Sequence, residues 1–335
     1  MEADHNPKLT ASEVSSLWAT FQTSTMMNCG VKYFLETVED EEIRSVLEFA
    51  SDFIGDRIQT ITQLFHEEQY PIPVGFTDDD VNTNAPRLFS DIMILQYMMN
   101  MGKFSHTGES ILYSFSTRDD IAAFYYQCLA DAKELANRAR KVSLKKGVLV
   151  RAPYLPRPHG VDFVNKQSFL TGWFGNRRPL LGIEISNLFY NAERNALGHA
   201  LTIGFSQVVG SKEVRKYMER GKEISAKHFE VFSSVLQEEN LSTANSVASE
   251  VTDSTVSPFS DKLMMFHVSV LVASGIAQYG AGISASPRRD LGAMYTRLMA
   301  ETGKYSEDGA NIMIDNGWLE QPPQAADRES LARNE

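Results

Sequence analysis

The sequence predicts an all-α protein, two four-helix bundles in tandem that arose by internal duplication. Three observations carry this reading. The chain repeats itself at an offset of 170 to 171 residues, apolar residues recur at helical spacing throughout, and no alternating stretch of useful length marks a strand. Leu88-Phe89-Ser90-Asp91 returns as Pro258-Phe259-Ser260-Asp261, and the same offset carries Ser116, Arg118 and Asp120 onto Ser286, Arg288 and Asp290. It also carries Tyr125 onto Tyr295 and Gly147 onto Gly317, without a gap. Upstream the offset is one residue longer and pairs Glu13 with Glu184, Leu17 with Leu188, Phe34 with Phe205, and Glu67-Glu68 with Glu238-Glu239. Identity is only about one in five, but so long a shared register is hard to obtain by chance.

The elements follow in order. Val14, Leu17, Phe21, Val31, Leu35 and Val38 share one helical face, and Ile43, Leu47, Ala50, Ile54, Ile61 and Leu64 share another. A third helix is expected from Pro86 to Phe115 and a fourth from Thr117 to Lys146. Ser116, with Asp119 three residues on, reads as the cap of the fourth helix, and Ser286 before Pro287 reads as its counterpart. Gly147 and Gly317 stand where C-terminal caps belong.

Glu39–Asp40 and Gly210–Ser211 join helices one and two tightly, so these are antiparallel neighbours. The loops from Tyr70 to Ala85 and from Asn240 to Ser257 are long enough to run the ~40 Å length of a helix. A long crossover there is the ferritin-like arrangement, whereas short loops would give simple up-and-down order. The expected division is a first bundle over 8–150, a linker over 151–180 and a second bundle over 181–325.

Composition narrows the function classes. The 335 residues are 43% apolar and 22% charged, with a net charge of −11. Real cores can form, and a disordered polyelectrolyte is excluded. Cys29 and Cys128 alone cannot make a disulfide framework or a thiolate zinc ribbon, and their apolar helical setting predicts inert thiols. The acidic balance argues against a nucleic-acid partner. No basic-then-apolar leader opens the chain, so a cytoplasmic location is expected. Lys262 to Arg288 encloses an uncharged stretch long enough to span a bilayer. It is interrupted by His267, Ser269, Ser274 and Gln278, and its duplicated counterpart carries Lys103 and Glu109, so no membrane partner is expected.

The linker region concentrates positive charge. Lys141, Lys145, Lys146, Arg151, Arg157, Lys166, Arg177 and Arg178 face only Asp162, so this segment is about +7 and the remainder about −18. With Phe163, Phe169, Trp173 and Phe174 interleaved, it reads as a basic strap anchored by aromatics across two acidic bundles. An anionic-ligand or nucleic-acid site is the alternative.

For chemistry, a di-iron centre in such a bundle needs Glu-x-x-His on two helices, and the sequence has none. No Gly-x-Ser-x-Gly elbow, phosphate-binding loop or dinucleotide turn occurs either, so an enzyme is disfavoured and no cofactor is expected. One polar constellation remains in the second bundle: His199, His228, His267, Glu301 and Tyr305, expected at similar depth on four helices. Imidazole and carboxylate together could hold a first-row metal ion or a small ligand, or form a hydrogen-bonded layer that sets helix register. The first-half counterparts are Asn28, Arg57, Tyr97, Asp131 and Leu135, which cannot form the same site. Ala273, Ala277, Ala281 and Ala285 make a small-residue ridge on the seventh helix, suited to close helix approach and to a homodimer.

Several motifs are specific enough to resemble a known family. Asp80-Val81-Asn82-Thr83-Asn84-Ala85-Pro86-Arg87-Leu88-Phe89-Ser90-Asp91, Lys166-Gln167-Ser168-Phe169-Leu170-Thr171-Gly172-Trp173 and Glu250-Val251-Thr252-Asp253-Ser254-Thr255-Val256 resemble motifs of the bacterial domain-of-unknown-function family 3231. The likeness runs from about Leu9 to Asp327. It implies a ferritin-like fold, endospore-forming bacilli as the setting, and a distant similarity to the spore coat F group. It assigns no catalytic residue. The expectation is a non-enzymatic structural or binding protein of the cytoplasm, forespore or spore, with a metal- or small-ligand-binding protein as the alternative.

Overall fold

The structure, a computed structural model, describes residues 7–173 and 177–333. The first half holds α1 (Ala11–Thr37), α2 (Glu41–Glu67), α3 (Asp91–Phe115) and α4 (Asp119–Lys145). The second holds α5 (Gly182–Val208), α6 (Lys212–Glu238), α7 (Asp261–Ala285) and α8 (Arg289–Asp315), followed by a short α9 (Arg328–Arg333). Among the described residues, extended pairing is limited to two isolated bridges. The chain is all-α and duplicated, as its sequence periodicity requires.

Caps explain most boundaries. Thr10 and Glu13 form a reciprocal capping box at α1, while Asp40, Ser90, Ser211 and Ser260 accept backbone N–H groups at α2, α3, α6 and α7. Ser90 therefore starts α3 five residues later than the apolar pattern suggests. Gly147 and Gly317 end α4 and α8 at φ +70° and +67°, where a side chain would be strained. The expected caps of α4 and α8 are corrected. Ser116 Oγ instead donates to the Leu112 carbonyl, and the Arg118 and Arg288 positions carry no side-chain cap. A carboxylate from the neighbouring helix replaces them: Glu13 accepts from the N–H groups of Thr117 and Arg118 at 2.8 and 2.9 Å. Burial would push Glu13 up, but hydrogen bonds from Thr10, Thr117 and Arg118 outweigh it and hold the carboxyl at about 2.

The same contacts establish topology. Asp91, opening α3, accepts from the backbone of Asp40, opening α2, at 2.9 Å, while Arg118 at the far end reaches Glu68 at 2.5 Å. Helices α2 and α3 thus run parallel, joined by a loop that travels the bundle's length. Asp261 accepts from Ser211 at 2.8 Å in the second half, and Arg288 meets Glu239. Each half thus has one long crossover, between its second and third helices.

The two halves meet about a pseudo-twofold axis. Val81 bridges Phe259 and Phe89 bridges Val251, which are the same pair under the 170-residue offset. Ser90 bonds Glu250 and Ser260 bonds Asp80, again reciprocally. Tyr97 and His267 are each other's counterparts and share a 3.0 Å hydrogen bond, so they lie on the axis. Such self-complementarity is the signature of an isologous interface, here within one chain. A central core runs through both halves, from Met26 and Phe34 to Phe205, Leu263 and Met264, with a smaller core at each outer end. Helix α7 is long and apolar enough to cross a membrane by composition, yet Leu263, Met264, Met265 and Val268 fill this shared core.

Candidate functional site

One residue from each main helix of the second bundle meets in a polar layer, buried at His228 and Tyr279 and partly exposed at its ends: Asn195 on α5, His228 on α6, Tyr279 on α7 and Glu301 on α8. Asn195 Nδ2 donates to the Tyr279 hydroxyl at 2.9 Å. Tyr279 pairs with His228 Nδ1 at 2.9 Å, and His228 Nε2 pairs with Glu301 at 3.1 Å. Lys227 closes the chain on Glu301 at 2.8 Å. Burial pulls His228 below its ordinary value against the pull of Glu301, so the imidazole is neutral. Its tautomer follows from its partners. Nε2–H donates to the carboxylate and Nδ1 accepts from the phenol, giving a continuous relay from the bundle interior to the half-exposed Glu301.

The topology dictates this level. Helices α6 and α7 start together at Ser211 and Asp261, so His228, one-and-a-half dozen residues in, lies beside Tyr279 rather than His267. His267 stands about twelve residues, or ~18 Å, nearer the start of α7, on the pseudo-twofold axis. His199 is likewise displaced along α5 and half-buried, with Asn195 taking the matching level. Of the five residues expected in one layer, the structure brings together His228 and Glu301. Tyr305 lies nearby but belongs to a different contact, a stack on Tyr217 with centroids 4.2 Å apart and reciprocal hydroxyl-to-carbonyl bonds. Asn195 and Tyr279 are the members that apolar-face reasoning missed. Counting levels from the paired starts of α6 and α7 would have found them.

Beside the layer is an internal cavity of ≈ 90 Å³, walled by α3, α5, α6, α7 and α8. Its origin is legible in the duplication. Where the first bundle has Met27, Ala50, Phe53 and Ile54, the second has Gly198, Gly221, Ile224 and Ser225. Leu135 is replaced by the larger Tyr305, which fills only one end. His228, Tyr279, Asn191 and Asn195 supply the polar wall. Arg194 lines both the cavity and an open groove of ≈ 530 Å³ between α3, α4, α5 and α7, so it stands at the mouth.

A model of the family described as "Protein of unknown function (DUF3231)" matches residues 2–161 and again residues 168–331. The chain belongs to this family, with one copy of its domain in each half. No curated protein matches it. A solved structure from Bacillus halodurans C-125, a "putative spore coat protein", is similar at 16% identity and a TM-score of 0.42, covering 45% of this chain and 98% of that one.

The two family copies treat the layer differently. Arg57, Glu109 and Asp131 occupy the positions of His228, Tyr279 and Glu301, and Arg57 binds Glu109 at 2.7 Å. Arg57 Nε and Nη2 and one Glu109 oxygen have no partner among the described residues. Burial pushes Glu109 up to about 7 despite the guanidinium beside it. No group of three or more His, Cys, Asp or Glu side chains among the described residues is placed to hold a metal ion. Burial raises Cys29 to about 11 and Cys128 to about 12, so both thiols stay protonated at neutral pH.

The strap between the copies is held at its C-terminal end. Arg178 grips Glu184 through two bonds, at 2.7 and 2.8 Å, and covers Phe169, while Arg177 pairs with Glu238. Aromatic anchoring along its length is corrected: Phe163 and Trp173 are exposed, Phe169 is half-buried, and Phe174 lies outside the described residues. Arg151 lies over the Tyr154 ring, and Arg157 is exposed. Of the alanine ridge, Ala273, Ala277 and Ala281 face outward and Ala285 is half-buried.

Proposed function

We propose that this protein is a non-catalytic binding protein whose second bundle takes a small molecule into its internal cavity. The observation that carries the reading is the cavity's asymmetry. Positions packed by Met27, Phe53 and Ile54 in the first copy are opened by Gly198, Ile224 and Ser225 in the second, and the opening adjoins a satisfied polar layer. Ligand sites in bundles are built this way, largely preformed and mostly apolar, with a few convergent polar groups. The phenol, amide and neutral imidazole are already committed to one another and to Glu301 by hydrogen bonds, which supports retention of a ligand over its conversion. The family resemblance supports a spore-associated setting for the same activity, which fractionation of sporulating against vegetative cells tests.

Ligand-observed NMR with a library of small neutral and charged fragments tests the binding reading. Fragments competing for one site, and lost in Ser225→Ile, are the expected result. The absence of any hit, or hits indifferent to Ser225→Ile, overturns it.

A further inference from the structure

The geometry points to a short-chain aliphatic carboxylate as the ligand class, with its chain in the cavity and its head group on Arg194; this rests on the binding reading above. The mouth is cationic in a chain of net charge −11. Arg194, Lys103, His106 and Lys133 line the outer groove, and no carboxylate lines it. The nearest acid, Glu193, is taken by Lys103 at 3.0 Å. Arg194 itself has no carboxylate partner among the described residues. Its guanidinium donates to Ser274 Oγ through Nη2 and lies 5.7 Å from the Phe104 ring centre, while Nε and Nη1 make no hydrogen bond among the described residues. Glu301 cannot serve, because it points the other way, to Lys227 and His228.

A planar guanidinium with donors to spare suits a carboxylate. Leu197, Ile224, Val268, Leu271 and Val272 line the interior beyond it opposite the neutral polar wall, which gives an alkyl chain an apolar face. Among the described residues, no second Lys or Arg lines the cavity to hold an anionic head. The cavity is smaller than the roughly 150 Å³ that admits benzene, so a short chain fits better than a ring. A head group held at the mouth keeps its charge out of the apolar interior, where burial would be costly.

Calorimetric titration of the full chain with pentanoate, pentan-1-ol and pentylamine tests this class. Pentanoate should bind at least about tenfold tighter than the alcohol, the size expected of a charge-assisted hydrogen bond. Pentylamine should bind more weakly than either. Arg194→Gln should bring pentanoate to the alcohol's affinity, with Arg194→Lys recovering part of the preference. Equal affinity for acid and alcohol in the wild-type chain, which needs no variant to fold, overturns the carboxylate class and leaves the cavity reading standing. Silence from all three probes overturns the aliphatic carboxylate class, and the fragment screen decides the cavity reading separately.

Discussion

The two bundles share one ancestral layer and have solved it in opposite ways. At the same three positions the first bundle carries Arg57, Glu109 and Asp131, and the second carries His228, Tyr279 and Glu301. The first layer is a buried ion pair with orphaned polar atoms, packed against Phe53 by the Arg57 guanidinium. The second is neutral along Asn195, Tyr279 and His228, fully chained, and beside a cavity. A duplicated fold lets one copy keep dense packing while the other opens space, because the shared central core supports both.

The comparison breaks first at the ion pair. Truncating one member of a buried pair strands the other charge, at about 3–5 kcal/mol. Glu109→Ala should therefore lose that much in urea unfolding at pH 8. Tyr279→Phe, at the equivalent position, removes hydrogen bonds from a neutral network and should lose about 1–2 kcal/mol. Replacing both members, Arg57→Met with Glu109→Leu, should recover most of the first loss, since the desolvation penalty goes with them. Equal losses from Glu109→Ala and Tyr279→Phe would mean that the two layers are energetically alike.

The pH dependence should separate the same groups by sign. His267 is buried on the axis and held down at about 4 by desolvation, below its unfolded value near 6.5. Between those values the unfolded chain binds a proton that the native one refuses, so stability falls as pH falls, by about 3 kcal/mol. His228 adds in the same direction. Glu109 works the other way: its native carboxyl holds a proton up to about 7, so stability falls as pH rises from about 4.5 through 7. His267→Gln should flatten the acid limb and Glu109→Gln the neutral limb, each leaving the other in urea titrations across pH 4 to 8.

Much of this was legible in the chain, and the exceptions have one cause. Helix number, the crossover and the Gly147 and Gly317 caps follow from periodicity and local chemistry, which a sequence displays directly. The depth of a residue within a bundle does not, because it depends on which helix ends are level. His267 continues the same apolar pattern as its neighbours, yet Asp261 aligned with Ser211 puts it far from His228. The caps of α4 and α8 failed similarly, because Glu13 and Glu184 arrive from helices more than a hundred residues away.

Glycine placement offers a sharper contrast of middle size. Gly309 lets the Tyr217 ring approach α8, and a Cβ there would collide with its hydroxyl end. The first bundle has Ala139 at that position and Val46 facing it, so no ring needs the room. Gly309→Ala should cost about 1–3 kcal/mol by overpacking, despite the better helix propensity of alanine. Ala139→Gly should cost about 0.5–1 kcal/mol, the ordinary loss for glycine inside a helix. Thermal unfolding of the two variants compares them directly, and a stabilised Gly309→Ala would show that the stacked Tyr217 and Tyr305 can move apart.

The smallest effect is the most informative, because stability and binding should move in opposite directions. Ser225→Ile gives the second bundle the residue that the first carries as Ile54, which is 1% exposed in its packed core. Filling a cavity in this way commonly adds about 1 kcal/mol. The His228–Tyr279 bond does not involve Ser225, so the polar layer should persist. A chain that becomes more stable while losing its ligand has given up a site that packing alone would have closed. If Ser225→Ile instead lowers the unfolding midpoint, the space is already relaxed around its wall. The asymmetry between the copies would then be a matter of packing.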